Sequence, residues 1–291
     1  MYDSILVPTD GRPGTNRAVN RALNLAQKVD AAVHVLYVID LQPELSALEG
    51  ETHEAVRGQF LERGQNATDE VEALARDLGL DVSHEVREGT PSEAILEYVS
   101  EHDIDLVVMG NRSQTDPGRR HLGSTTQRVL VRADVPVLAV PVTEAGRPVQ
   151  EADTYTRIVI PTDGSDAAER AAEHGLALAE QYGADVRVIY VVDVTTYGFE
   201  DTPRSIVGLL KEGGNSTVET IATDARDRGL SASTSVLRGI PEDAILQYAD
   251  GARADLVVMG TRGQSGVGER FLGSTTERVL RRTGTPVLTV D

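Results

Sequence analysis

Cysteine is absent from the 291 residues. That excludes disulfides, thiolate nucleophiles and thiolate-bound metals. Tryptophan is absent and aromatics make up only 4%, so a core has to be built mainly from Val, Leu, Ile and Ala. No apolar run nears the roughly 20 residues that a membrane span needs. Met1 leads into an apolar strand-like run with no basic n-region or signal-type h-region before it. The expected location is therefore the cytoplasm, with no membrane association. Lysine is nearly missing: Lys28 and Lys211 stand alone among 28 basic residues. Acidic residues number 46 and the formal charge is −18. A net polyanion is repelled by phosphate backbones and anionic lipid, so neither nucleic acid nor membrane is an expected partner. An acidic, lysine-poor surface also suits a very salty cytoplasm, and a halophilic character is expected.

Several motifs are missing as well. The turn after the first apolar run reads Thr9-Asp10-Gly11-Arg12-Pro13-Gly14, which is not the GxGxxG of dinucleotide sites. GxxxxGK[ST] and GxSxG do not occur, so a P-loop NTPase and an α/β-hydrolase are disfavoured. The six histidines (His34, His53, His84, His102, His121 and His174) have no ligand spacing and do not repeat. They read as surface or packing residues, with no protein-built metal site expected.

What is present is one plan, written twice. Ile5 to Gly11 (ILVPTDG) returns as Ile158 to Gly164 (IVIPTDG), 153 positions on. DLVVMG occurs at Asp105 and again at Asp255, 150 positions on. The second copy is thus three residues shorter, somewhere between Asp193 and Ile221, which the pattern places in the polar segment after the second strand. Each copy reads as alternating strands and helices. In the first, strands are expected at Ser4 to Pro8, Ala32 to Ile39, Asp81 to Arg87, Asp105 to Met109 and Val135 to Val142. Helices are expected over Asn16 to Val29, around Val71, Leu74 and Leu78, from a capping box at Thr90-Pro91-Ser92-Glu93, and over Thr125 to Val131. A polar stretch runs through Arg63. The order implies an α/β fold with a parallel sheet and helices on both faces. The domains are set at 1–143 and 156–291, with 144–155 as linker.

Three repeated signatures fall at strand carboxyl ends, where open parallel sheets bind ligands. The first is Pro-Thr-Asp after the first strand, and the second is Tyr-Val-x-Asp on the second. The third is Met-Gly with a glycine-rich loop and a Ser/Thr helix start after the fourth. Such a loop lets backbone N–H groups approach an anion, and the helix N-terminus favours negative charge. A flexible turn with an ordinary cap is the competing reading of the loop, and turn or N-cap duty that of Asp10 and Asp163.

This combination resembles the universal stress protein family across nearly the whole chain, as two fused copies. The most specific part is Gly260-x2-Gly263-x9-Gly273-Ser274, which resembles the loop of the ATP-binding branch. The resemblance implies two Rossmann-like domains, each a five-stranded parallel sheet in the order 3-2-1-4-5. It also implies an intramolecular pseudo-dimer joined through the last strands, with further homodimerisation left open. It implies ATP as ligand, with or without Mg2+, contacted by Pro161, Thr162, Asp163, Val191, Met259, Gly260, Gly263, Gly273, Ser274 and Thr275. The matching first-copy set is Pro8, Thr9, Asp10, Val38, Met109, Gly110, Gly123, Ser124 and Thr125. That copy departs from the pattern, with Ser113 for Gly263 and Asp116-Pro117 for Gly266-Val267, while Arg119 and Arg120 offer some compensation. It is expected to be the weaker site. No catalytic residue is assigned, and hydrolysis is expected to be slow at most. A structural or interaction protein that binds no nucleotide, and an enzyme that uses ATP, stay open as alternatives.

Overall fold

The computed structural model describes residues 1–40, 51–111, 122–141, 154–193, 204–263 and 271–291, leaving aside the side chains of 51–53 and 204–207. The chain divides into two compact units, Met1–Val149 and Gln150–Asp291.

In the first unit the elements are β1 (Ser4–Thr9), α1 (Asn16–Val29), β2 (Ala32–Ile39), α2 (Glu51–Asp77), β3 (Val82–Glu88), α3 (Pro91–Glu101), β4 (Leu106–Gly110), α4 (Ser124–Arg132) and β5 (Val137–Val140). The second unit repeats them as β6 (Arg157–Thr162), α5 (Asp166–Tyr182), β7 (Asp185–Asp193), α6 (Arg204–Asp227), β8 (Ala232–Gly239), α7 (Pro241–Ala252), β9 (Leu256–Gly260), α8 (Ser274–Arg282) and β10 (Val287–Val290). The strand orders are β3-β2-β1-β4-β5 and β8-β7-β6-β9-β10, and the strand pairs within each unit are parallel. This is the 3-2-1-4-5 order in each unit. Right-handed crossovers put α1 and α2 on one face and α3 and α4 on the other, and likewise in the second unit. With both faces covered, the central strands are apolar throughout: Ile5, Leu6, Val7, Ile158, Val159 and Ile160 have no exposed surface.

The central strands carry a proline, which cannot donate to a ladder and is unusual inside a sheet. Pairing explains how it is accommodated. β6 matches β9 only at Ile158↔Leu256 and Val159↔Val257, so the ladder ends before Pro161. β1 matches β4 only at Ile5↔Leu106 and Leu6↔Val107, so it ends before Pro8. Beyond these positions the neighbouring strands part at their carboxyl ends. The parting falls between the first and fourth strands of each unit, where the strand order reverses.

Some expectations from the sequence need correcting. From Glu51 on, the polar stretch is helical: α2 covers Glu51–Asp77, 27 residues, while positions 41–50 lie outside the described residues. Glu, Gln and Arg are good helix formers, so propensity sustains a helix there without a full apolar face. Its counterpart α6 covers Arg204–Asp227, and positions 194–203 ahead of it lie outside the described residues. Leu74 and Leu78 are exposed, and the buried face of α2 runs through Gly64, Ala67, Thr68, Val71 and Ala75. Small residues are needed there because Tyr37 lies against the helix, and a Cβ on Gly64 would come within 2.8 Å of its ring. Thr90 is the N-cap of α3 with Pro91 in the first turn, but its side chain makes no cap hydrogen bond, so the capping box is not formed. The last strand is shorter than expected, at Val137–Val140.

The same packing recurs in α6, where adjacent glycines face opposite ways. A Cβ on Gly214 would sit 2.7 Å from the Tyr190 ring, whereas one on exposed Gly213 meets nothing within 4 Å. Gly214→Ala should therefore destabilise the second unit by about 1–2 kcal/mol through overpacking. Gly213→Ala should stabilise it by roughly 0.5–1 kcal/mol through helix propensity. Urea denaturation of the two variants checks the opposite signs.

Candidate functional site

Where β6 and β9 part, the second unit has a cleft of about 310 Å³. Its walls come from four elements and the turns that follow them. Pro161 and Thr162 end β6, and Asp163 begins the turn. Ile189 to Asp193, including Val191, are the last residues of β7. Met259 and Gly260 end β9, Arg262 and Gly263 follow, and Gly273 to Thr276 open α8. Leu210 of α6 and Pro241 and Ile245 of α7 complete the lining named here. All ten residues named from the sequence for this copy thus line one cavity.

The turn after β6 is held by its own side chains. Gly164 N–H donates to Thr162 Oγ1 at 3.1 Å, Ser165 N–H donates to Asp163 Oδ1 at 3.0 Å, and Gly164 has φ +76°. Ser165 caps α5, accepting from Ala168 N–H at 3.3 Å. This brings the start of α5 hard against the end of β9. A Cβ on Gly260 would lie 3.0–3.1 Å from backbone and Cβ atoms of Ala167 and Ala168. Gly263 has another constraint: its Cβ would stand 2.5 Å from Asp163 Oδ2. A side chain there has to displace the carboxylate.

Gly273 is fixed by its N–H, which donates to Thr261 O at 2.8 Å, while Thr276 Oγ1 donates to Gly260 O at 2.8 Å. The start of α8 is therefore tied to the end of β9. Gly273 is the N-cap and, having no side chain, satisfies none of the N–H groups of the first turn. That end of the helix carries partial positive charge and faces the cleft.

Arg262 is the one cation among the described lining residues, beside Asp163 and Asp193. Asp291 holds it: Arg262 Nε donates to Asp291 Oδ1 at 2.8 Å, and Nη2 contacts both carboxylate oxygens. Thr261 Oγ1 donates to the same Oδ1 at 2.8 Å, and Arg170 Nε donates to the main-chain oxygen of Asp291 at 2.6 Å. The Arg262 guanidinium, helped by Thr261 and Arg170, holds the Asp291 carboxyl below its ordinary value against the effect of burial. Asp291 in turn raises Arg262 above its own. Sequence reasoning missed this clamp because its two halves are 29 residues apart. Only the copy comparison hints at it: the position matching Asp291 is Pro141, whose carbonyl accepts from Arg17 Nη1 at 3.1 Å.

The first unit brings its counterparts to the matching strand ends. Pro8 and Thr9 end β1, Val38 lies on β2, Met109 and Gly110 end β4, and Gly123 caps α4 ahead of Ser124 and Thr125. Its turn differs. α1 begins at Asn16, about one helical turn later than α5 by sequence register, and Asp10 is exposed with Arg12 Nε 3.7 Å from its carboxylate. The loop differences at Ser113, Asp116, Pro117, Arg119, Arg120, Gly266 and Val267 lie outside the described residues. Among the described residues, no helix is long and apolar enough to cross a membrane.

Known proteins agree with this architecture. The model of the universal stress protein family matches residues 1–141 and again 154–291. A universal stress protein of Methanocaldococcus jannaschii is 40% identical over 139 residues, spanning 47% of this chain and 82% of its own length. One from Synechocystis is 24% identical over 306 aligned positions, spanning 98% of this chain and 99% of its own. The solved structure of an Archaeoglobus fulgidus universal stress protein matches with a TM-score of 0.75 at 23% identity, covering 99% of this chain and 96% of that one, and supports the fold. The chain belongs to the universal stress protein family and carries the family's unit twice.

Proposed function

We propose that the cleft of the second unit binds an adenine nucleotide, ATP, and that this cytoplasmic chain acts as a binding or regulatory module rather than as an efficient enzyme. The observation that carries the reading is the α8 N-terminus without a side-chain cap, opening into a cleft beside two close-packed glycines and a fixed arginine. Backbone N–H groups and helix charge suit phosphate. Apolar Ile189, Val191, Met259 and Ile245 suit a base, while the Asp163 carboxylate suits ribose hydroxyls. The described lining contains no lysine and no histidine, which supports slow hydrolysis at most. A Mg2+ ion accompanying the phosphates is compatible with Asp163 and Asp193 in the same lining. The first unit is the weaker site on this reading.

Two measurements test it. Denaturing the purified chain should release adenine nucleotide detectable by mass spectrometry, and calorimetry should give a saturable ATP site. Gly263→Ser forces a Cβ toward Asp163 Oδ2 and should weaken ATP at least about tenfold, or 1.4 kcal/mol. Unchanged affinity contradicts the assignment. Arg262→Gln removes a charge-assisted contact to phosphate and should weaken ATP about tenfold or more while leaving adenosine within about twofold. Equal losses for ATP and adenosine would mean that Arg262 shapes the loop and does not meet phosphate.

A further inference from the structure

His84 finds partners that its sequence neighbours do not reveal. It lies on β3, on the face covered by α2, where Asp69 and Glu72 are one turn apart. His84 Nε2 is 3.6 Å from Asp69 Oδ1, and Nδ1 is 3.4 Å from Glu72 Oε1. One ligand atom from each of the three residues lies within 4.8 Å of the other two. These N–O separations are longer than hydrogen bonds, which cluster near 2.7–3.2 Å, and they use opposite nitrogens of the ring, of which a cation can take only one. The separation made by the nitrogen that binds is near a tetrahedral edge, since metal–ligand bonds of about 2.0–2.2 Å place ligand atoms roughly 3.4 Å apart, and the third ligand closes in by side-chain rotation.

We propose that Asp69, Glu72 and His84 form a binding site for one divalent first-row transition cation, with water completing its coordination. One imidazole nitrogen and two carboxylates form the mixed N/O set that such cations take, and the imidazole favours them over Mg2+ and Ca2+. Glu72 is the anchor, with its side chain only 16% exposed, while Asp69 at 64% is free to swing inward. Closing on a cation requires His84 to commit one nitrogen, and Arg76 Nη2, which Glu72 Oε1 now holds at 2.6 Å, competes for that carboxylate. Arg76 is therefore the built-in competitor of the cation.

The second unit supplies an internal control. The matching positions are Glu219, Ala222 and Thr234, and they do not make this set. There Thr234 Oγ1 donates to Glu219 at 2.7 Å and Arg226 pairs with the same carboxylate at 3.1 Å, an arrangement of hydrogen bonds and an ion pair. The site thus belongs to the first unit alone and is separate from the proposed nucleotide cleft.

Calorimetric titration of the full chain with Zn2+, in nucleotide-free buffer containing excess Mg2+, tests the site. One saturable Zn2+ site is expected. His84→Thr installs the residue of the second copy and should weaken it at least about tenfold. Arg76→Gln should tighten it, an effect that misfolding cannot mimic. Binding that excess Mg2+ abolishes, or that His84→Thr leaves unchanged, would mean diffuse attraction to an acidic surface and would overturn the proposal. An Arg76→Gln variant with no gain in affinity would remove Glu72 from the ligand set and overturn the three-residue assignment.

Discussion

The parting of β6 from β9 at Pro161 is the constraint on which the candidate site depends. A proline in a central strand forfeits a ladder donor. Pairing stops before it, and the carboxyl ends of the two strands diverge. The divergence coincides with the point where the strand order reverses, so no crossover helix fills it. What the sheet gives up in hydrogen bonding there opens a crevice lined by strand ends. The same arrangement at Pro8 shows that it belongs to the unit itself.

Close packing then turns the crevice into a site. Gly260 lets α5 press onto the end of β9, and Gly263 leaves room for the Asp163 carboxylate. Gly273 lets the chain turn under Thr261 O into α8. A Cβ on Gly260 or Gly273 would meet backbone atoms at 3.0–3.1 Å and one on Gly263 the movable end of Asp163, and together they leave a helix N-terminus facing the opening. On the opposite wall, Asp291 holds Arg262 by a paired contact. That pairing offsets the charge of Arg262, so the positive potential toward the opening comes mainly from the helix N-terminus.

Much of this was legible in the sequence because it is local or repeated. Apolar runs of four to eight residues marked the strands, and the duplication marked the units. The glycine spacing marked the residues that meet at the cleft. What stayed hidden depends on partners distant in sequence or on propensity without pattern. The part of α2 up to Arg63 is rich in Glu, Gln and Arg and carries no apolar stripe, so it read only as a polar stretch. Leu74 and Leu78 marked the helix, yet they are exposed, and Tyr37 packs against the small-residue face of that helix instead. The Arg262–Asp291 clamp and the grouping of His84 with Asp69 and Glu72 are both made by tertiary structure, and no short motif encodes either.

On the proposed function, the strand ends and the α8 N-terminus of the second unit act together as one phosphate-directed site. Backbone amide NMR during an ATP titration tests it most directly. The account predicts saturable shifts at Gly260, Gly263, Gly273, Ser274 and Thr275, with smaller or no changes at Gly110, Gly123 and Ser124. Saturation with those second-unit amides unmoved, or no saturable change anywhere, would contradict it.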